Sequence, residues 1–186
     1  MEFADQGDLY AKITQHTKNN TKFSEDELWS IFVQVTRGLK ALHELRILHR
    51  DLKSANVFMF GNGHVKLGDM NVSKLTKSMC KTQTGTPYYA SPEVWKDEPY
   101  DKKSDIWSLG CVFYEAIALK PPFRANDMEG LFKKVTRGFY PRIPPEYSDE
   151  LSNILKMLLQ VTPHLRPICD KLLELPLVQK HFEALP

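Results

Sequence analysis

An α+β fold, mostly helical with one short β-hairpin, is what the 186-residue sequence predicts. Apolar residues recur at steps of three and four over several long windows, the spacing that gathers them on one helix face. One pair of short strand-like runs stands out, joined through Gly61-Asn62-Gly63, which signals a hairpin. Between these regions lies an irregular stretch of roughly 30 residues, from Asp69 to about Pro99 and punctuated by Gly85, Pro87 and Pro92. A loop that long inside a compact domain is more often a working part than a plain connection.

Each element has its own signature. Residues 7–17 read as a short helix, followed by the polar loop "KNNTK". Ser24 and Glu27 form a capping box that opens a long helix, whose stripe is Leu28, Ile31, Phe32, Val35, Leu39 and Leu42. It runs out near Leu45, and "RILHRDLKSAN" then has no helical period, so it reads as a structured loop. The runs 57–60 and 64–68 are the two strands. After the long loop, Ser104 is expected to cap an apolar helix carrying Ile106, Leu109, Val112, Phe113, Ala116 and Ile117, stopped by Pro121-Pro122. Further helices fit 127–137 and 148–160, and Pro167 suits the first position of a last helix ending near Leu173. No internal repeat or low-complexity segment is found.

Bulk properties narrow the function. A chain of this length is one domain or a large piece of one, able to bury a real core. The net charge of +2 argues for neither nucleic acid nor an anionic membrane as partner. Cys80, Cys111 and Cys169 are odd in number with no CxxC spacing, which suits a reducing cytosolic or nuclear setting. No apolar run is long enough to span a bilayer, and no signal-peptide pattern opens the chain.

The chemistry concentrates in "HRDLKSANVF", His49 to Phe58. It offers a carboxylate at Asp51, an ammonium at Lys53 and a carboxamide at Asn56. The hairpin that follows should fold the chain back and bring Asn56 and Asp69 to the same end. An amide oxygen and a carboxylate at one point make hard ligands suited to Mg²⁺ that also binds substrate phosphates. Asp51 is then placed to accept a proton from an attacking hydroxyl, and Lys53 to offset charge on a transferring phosphoryl group.

With these residues in view the chain resembles the protein kinases. H-R-D-L-x-x-x-N at His49–Asn56 matches their catalytic loop, Ser91–Glu93 is similar to their A-P-E, and "DIWSLG" at Asp105–Gly110 to the start of their central helix. "PHLRP" supplies Arg166, which the family pairs with the glutamate matching Glu93. Lys53 resembles the serine/threonine class, and "GTPYYASPEVW" with "SDIWSLGCVFYEAIALKPPF" is most similar to the NIMA-related subfamily.

The resemblance implies roles. Asp51 resembles the catalytic base, Lys53 the phosphate-contacting lysine, and Asn56 and Asp69 the Mg²⁺ ligands beside ATP. Thr86 resembles the threonine whose hydroxyl ties the substrate loop to Asp51 and Lys53. Phe58 matches the floor under adenine, Glu2 and Ala4 the hinge that meets the adenine edge, and Asp8 the acid near the ribose. His49 and Asp105 match residues that hold the loop on the central helix. Thr82 matches an activating phosphorylation site whose phosphate could pair with Arg50. On this resemblance residues 1–8 are a hinge remnant, 9–186 the C-terminal lobe of the kinase fold, and about 69–93 the activation segment. The implied partner is a protein bearing Ser or Thr, in the cytoplasm, with the subfamily's cytoskeletal and ciliary associations.

Two departures qualify the resemblance. The family's D-F-G reads Asp69-Met70-Asn71; Met can fill the apolar slot, and Asn tolerates positive φ. None of the nine glycines makes the G-x-G-x-x-G spacing that covers ATP phosphates, and only 23 residues precede Ser24. A five-stranded lobe with its helix needs roughly 70 residues or more, so the N-terminal β lobe is expected to be absent. Two readings stand: a fragment of a serine/threonine kinase, or a non-catalytic kinase-like binding module. A small-molecule phosphotransferase is disfavoured by the GTPYY and SPE elements. The chain alone is expected to bind MgATP with Kd above about 1 mM. An exposed apolar rim including Phe58 and Met59 is expected to promote self-association.

Overall fold

The computed structural model describes residues 4–68, 85–182 and 185. Within them the architecture is mostly helical around one two-stranded sheet. Helix α1 (Leu9–Asn19) starts on the Asp8 carboxylate, which accepts the Ala11 N–H at 2.8 Å. Helix α2 (Glu25–Glu44) starts on the reciprocal Ser24–Glu27 capping box, satisfying two otherwise unpaired donors.

The end of α2 aims the chain into the functional loop. The Ile47 N–H donates to the Leu42 carbonyl at 2.9 Å and the Arg46 N–H to His43 at 3.1 Å, the paired bonds of a Schellman ending. That ending puts Arg46 at φ 59°, where a side chain costs about 1–2 kcal/mol relative to the right-handed region. Arg46 is exposed. Arg46→Gly should therefore raise stability by about 0.5–1 kcal/mol after glycine's greater unfolded-state freedom is counted. A higher urea midpoint with unchanged slope would report it.

Strands β1 (Val57–Met59) and β2 (Val65–Leu67) pair antiparallel, Val57 opposite Leu67 and Met59 opposite Val65. Residues 6–8 lie along the far side of β1: Met59 N–H donates to Gly7 at 2.8 Å, and Asp8 bridges Phe58. Strand alternation sends Val57 and Met59 into the core and leaves Phe58 half-buried. The expected exposed rim thus loses Met59, which is 8% exposed, and finds Phe58 only half-buried.

Helix α4 (Lys102–Ala118) is the central post, buried around nearly its whole circumference. Such a helix has no polar face to give to solvent. It packs on α2, where Phe32 and Phe113 meet with ring centres 4.7 Å apart, and on α6 (Asp149–Leu158). A Cβ at Gly110 would fall 2.8 Å from a Leu159 methyl and 2.9 Å from Leu158 Cβ. Gly110→Ala should cost about 1–3 kcal/mol in overpacking despite alanine's better helix propensity, read as a lower thermal midpoint. The remaining α-helices among the described residues are α3 (Pro92–Trp95), α5 (Met128–Arg137), α7 (Cys169–Glu174) and α8 (Pro176–Gln179).

Three sequence expectations shift. Helix α4 is capped by Asp101, whose carboxylate accepts the Lys103 N–H at 2.7 Å, while Ser104 sits one turn inside as the reciprocal partner. Pro167 lies outside α7, whose cap is Ile168. The long irregular stretch contains α3, started by Pro92. Among the described residues no helix is long and apolar enough to cross a membrane.

Candidate active site

The segment between α2 and β1 carries the candidate groups, and buried side chains hold its backbone. His49 is fully buried. Its Nε2 donates to the Gly68 carbonyl at 3.1 Å, and its Nδ1 accepts the Asp51 N–H at 3.3 Å. One imidazole therefore links the residue that bears the carboxylate to the residue that closes the hairpin. Gly68 also donates its N–H to the Asn56 carbonyl at 3.0 Å. A Cβ at Gly68 would lie 2.4 Å from the Phe58 ring, so only glycine lets strand and ring approach this closely.

Asp51, Lys53 and Asn56 come together. Lys53 Nζ lies 3.9 Å from Asp51 Oδ2, with side chains 41% and 17% exposed, so the pair faces solvent on one side. Asn56 is buried in a 3₁₀ turn (Ser54–Asn56), and its Nδ2 donates to the Asp51 carbonyl at 2.7 Å. Pinning the amide nitrogen leaves Oδ1 as the acceptor end of the group. Among the described residues no cluster of three or more His, Cys, Asp or Glu could hold a metal. Asp69, the second expected metal ligand, lies outside the described residues, as do Glu2 and Thr82. Chain connectivity puts position 69 directly after Gly68, the residue bonded to Asn56.

Other candidates stand elsewhere. Thr86 is exposed, and among the described residues its hydroxyl makes no bond to Asp51 or Lys53; the two segments meet through Ser54 and Tyr89. Asp8 commits one carboxylate oxygen to the α1 cap. Ala4 accepts the Gly7 N–H at 3.2 Å in the turn that leads to Asp8. Arg50 adopts φ 66° with its guanidinium 5.9 Å from the Tyr100 ring centre.

Behind the loop stands Asp105, fully buried on α4. Its Oδ2 accepts from His43 Nε2 at 2.8 Å and the His49 N–H at 3.0 Å. Its Oδ1 accepts from the Arg50 N–H at 3.1 Å and Tyr100 Oη at 2.5 Å. Burial pushes this carboxyl up, but the four bonds more than offset it, and the net shift is downward. Glu93 and Arg166 form a second buried unit: Nη1 and Nη2 reach the two carboxylate oxygens at 2.6 and 2.8 Å.

His43 and Tyr100 are the residues sequence reasoning missed. His43 falls four after Leu39 at the end of the α2 stripe. A polar ring on a buried face must find a partner, and that is the signal that could have flagged it.

Comparison with known proteins follows the same residues. A family model described as the protein kinase domain matches residues 1–178. The chain is 43% identical over 189 residues to a probable serine/threonine-protein kinase nek3 of Dictyostelium discoideum, covering 98% of this chain and 17% of that protein. It is 44% identical over 176 residues to serine/threonine-protein kinase Nek3 of Mus musculus, covering 93% of this chain and 34% of that protein. Against serine/threonine-protein kinase Nek2 of Homo sapiens the identity is 42% over 186 residues, 96% of this chain and 42% of that protein. The chain therefore spans less than half the length of each of these relatives.

Proposed function

The chain belongs to the protein kinase family, in its NIMA-related serine/threonine branch, and from that premise we propose that it carries the catalytic-loop portion of a protein serine/threonine kinase site. The reaction is transfer of the ATP γ-phosphoryl group to a Ser or Thr hydroxyl of a protein. The hydroxyl oxygen bonds to the γ-phosphorus, the bridging oxygen leaves with ADP, and the hydroxyl proton passes to the Asp51 carboxylate. Lys53, beside Asp51, offsets charge on the moving group. Asn56 Oδ1 and Asp69 would hold Mg²⁺, whose part is to bind and polarise phosphate oxygens. Residues 1–8 serve as the hinge, with Glu2, Ala4, Asp8 and Phe58 beside the nucleotide. A phosphate on Thr82 would regulate the site through Arg50.

The observation that carries this reading is the joint placement of Asp51, Lys53 and Asn56, with the Asn56 amide oriented by the Asp51 carbonyl at 2.7 Å. The partner is a protein bearing Ser or Thr, and a second copy of the chain would associate through the side that carries Phe58. The assay uses millimolar MgATP, because the glycines supply no phosphate-covering loop, with matched peptides presenting Ser, Thr or Tyr. Label on Ser and Thr, lost with Asp51→Asn, is the expected result. Label on Tyr, or transfer that survives Asp51→Asn, would overturn it.

A further inference from the structure

Ser54 has no role in the scheme above, yet it is fully buried and sits between Lys53 and Asn56 in the 3₁₀ turn. Its Oγ lies 3.0 Å from Tyr89 Oη, and Tyr89 Oη lies 2.6 Å from Glu115 Oε2. The residues are 35 and 26 positions apart in sequence, so three separate segments converge on one phenol. Ser108 Oγ also donates to the Tyr89 carbonyl at 2.8 Å, so the tyrosine is held at its backbone as well as its ring.

The direction of the chain of bonds follows from proton counting. A phenol has one proton, and Tyr89 gives it to the Glu115 carboxylate, so Ser54 must be the donor to Tyr89. Glu115 is 4% exposed, and in that low-dielectric setting consecutive hydrogen bonds strengthen one another. Burial raises the Glu115 pKa, and the hydrogen bond from Tyr89 works against that rise. Each member thus needs the other two. An alanine at 54 would leave a buried phenol oxygen short of a donor.

What the triad joins gives it a purpose. On one side is the loop bearing Asp51 and Lys53. On the other is residues 85–90, where Thr86 is exposed and no backbone hydrogen bond crosses to the loop among the described residues. The register between the two segments therefore depends on side chains. We propose that Ser54 is a positioning residue: through Tyr89 and Glu115 it fixes residues 85–90 against the catalytic loop, and so sets where the acceptor hydroxyl of a protein substrate stands relative to Asp51. This rests on the kinase reading. A displacement of about 1 Å at a reacting centre can cost on the order of 100-fold in rate, so such a link can matter without touching substrate.

The test compares the chain with Ser54→Ala, Tyr89→Phe and the double variant. Hydrogen exchange read by mass spectrometry needs no activity. Ser54→Ala should speed exchange about 10-fold in peptides covering 85–91 and 51–57 and leave α2 and α4 unchanged. Tyr89→Phe removes the same link from its other end, so the double variant should be no worse than the more severe single one. In the phosphotransfer assay, Ser54→Ala should lower kcat for the peptide about 10-fold and leave KM for ATP unchanged. Uniform acceleration of exchange across the molecule, or additive effects in the double variant, would mean that Ser54 is only a core residue and would overturn the proposal. So would an unchanged peptide kcat in a folded Ser54→Ala variant. If the parent chain transfers no phosphate at all, the kinase reading fails. The proposal then fails with it as to substrate, while the exchange data still decide whether Ser54 couples the segments.

Discussion

Arg166→Leu should cost this chain about 3–5 kcal/mol of folding free energy, the range seen when one partner of a buried ion pair is removed. Arg166 is 1% exposed and Glu93 4% exposed. All five guanidinium N–H groups are used. Two reach Glu93; the others reach the carbonyls of Gln160 at 2.7 Å, Lys103 at 2.8 Å and Val161 at 3.2 Å. The Trp107 ring centre lies 5.1 Å from the guanidinium carbon and adds a flat face. Leucine would leave Glu93 with Ser104 Oγ, 2.8 Å away, as its remaining side-chain donor, and would remove the guanidinium donors from the carbonyls of Gln160, Lys103 and Val161. Lysine is no substitute, since three donors on a point charge cannot reproduce a planar five-donor fork.

The pH dependence supplies a check on mechanism. Burial pushes the Glu93 carboxyl up, but Arg166 outweighs it and the folded-state pKa is lowered. A depressed carboxylate stabilises the fold above its unfolded pKa, about 4.3, and that contribution is lost as pH falls through the folded value. Without Arg166 burial is opposed only by the hydrogen bonds from Ser104 and the backbone, so the variant's carboxyl is driven toward its neutral form. The penalty of Arg166→Leu should therefore shrink between pH 7 and pH 4. Urea unfolding at both pH values measures it, and a penalty that stays constant would mean that lost packing, not a stranded charge, is the cause.

Asp105→Asn should cost about 2–4 kcal/mol, because four donors lose a charged acceptor and the new amide presents two donors of its own to them. The larger consequence is local. The backbone N–H groups of His49 and Arg50 both end on Asp105, directly before Asp51. Arg50 adopts φ 66°, a conformation that a non-glycine residue keeps only when its surroundings enforce it. Releasing the bond should let residues 48–52 relax, seen as faster amide exchange there in a protein that remains folded. The folded pKa of Asp105 is also depressed, so its contribution is present above about pH 4 and lost as pH falls through the folded value. The Asp105→Asn variant should lack that acid-side slope.

Much of this was legible in the sequence, for identifiable reasons. The α2 stripe and its Ser24–Glu27 cap are local signals, and both appear where the spacing put them. The hairpin is equally local, marked by Gly61-Asn62-Gly63. The α4 cap is not legible because Asp101 and Ser104 are both good cap residues three apart, and local pattern alone does not rank them. Met59 was assigned to an exposed face although strand alternation beside half-buried Phe58 sends it inward. Among the candidate groups, the order of residues from His49 to Asn56 is informative because all lie within eight consecutive positions. The Ser54–Tyr89–Glu115 contacts were not, since nothing in a linear pattern says which of seven tyrosines reaches a given serine. The role of His43 is hidden for the same reason: its partner is 62 positions away.

Gly68 has a mechanical consequence. Its amide is bonded to Asn56, its carbonyl to His49, and its missing side chain is the gap in which Phe58 rests. A residue clamped at both ends of its peptide and hemmed in by an aromatic plate behaves as a fixed pivot. The point where the chain leaves the hairpin is thus bolted to the same frame as Asp51.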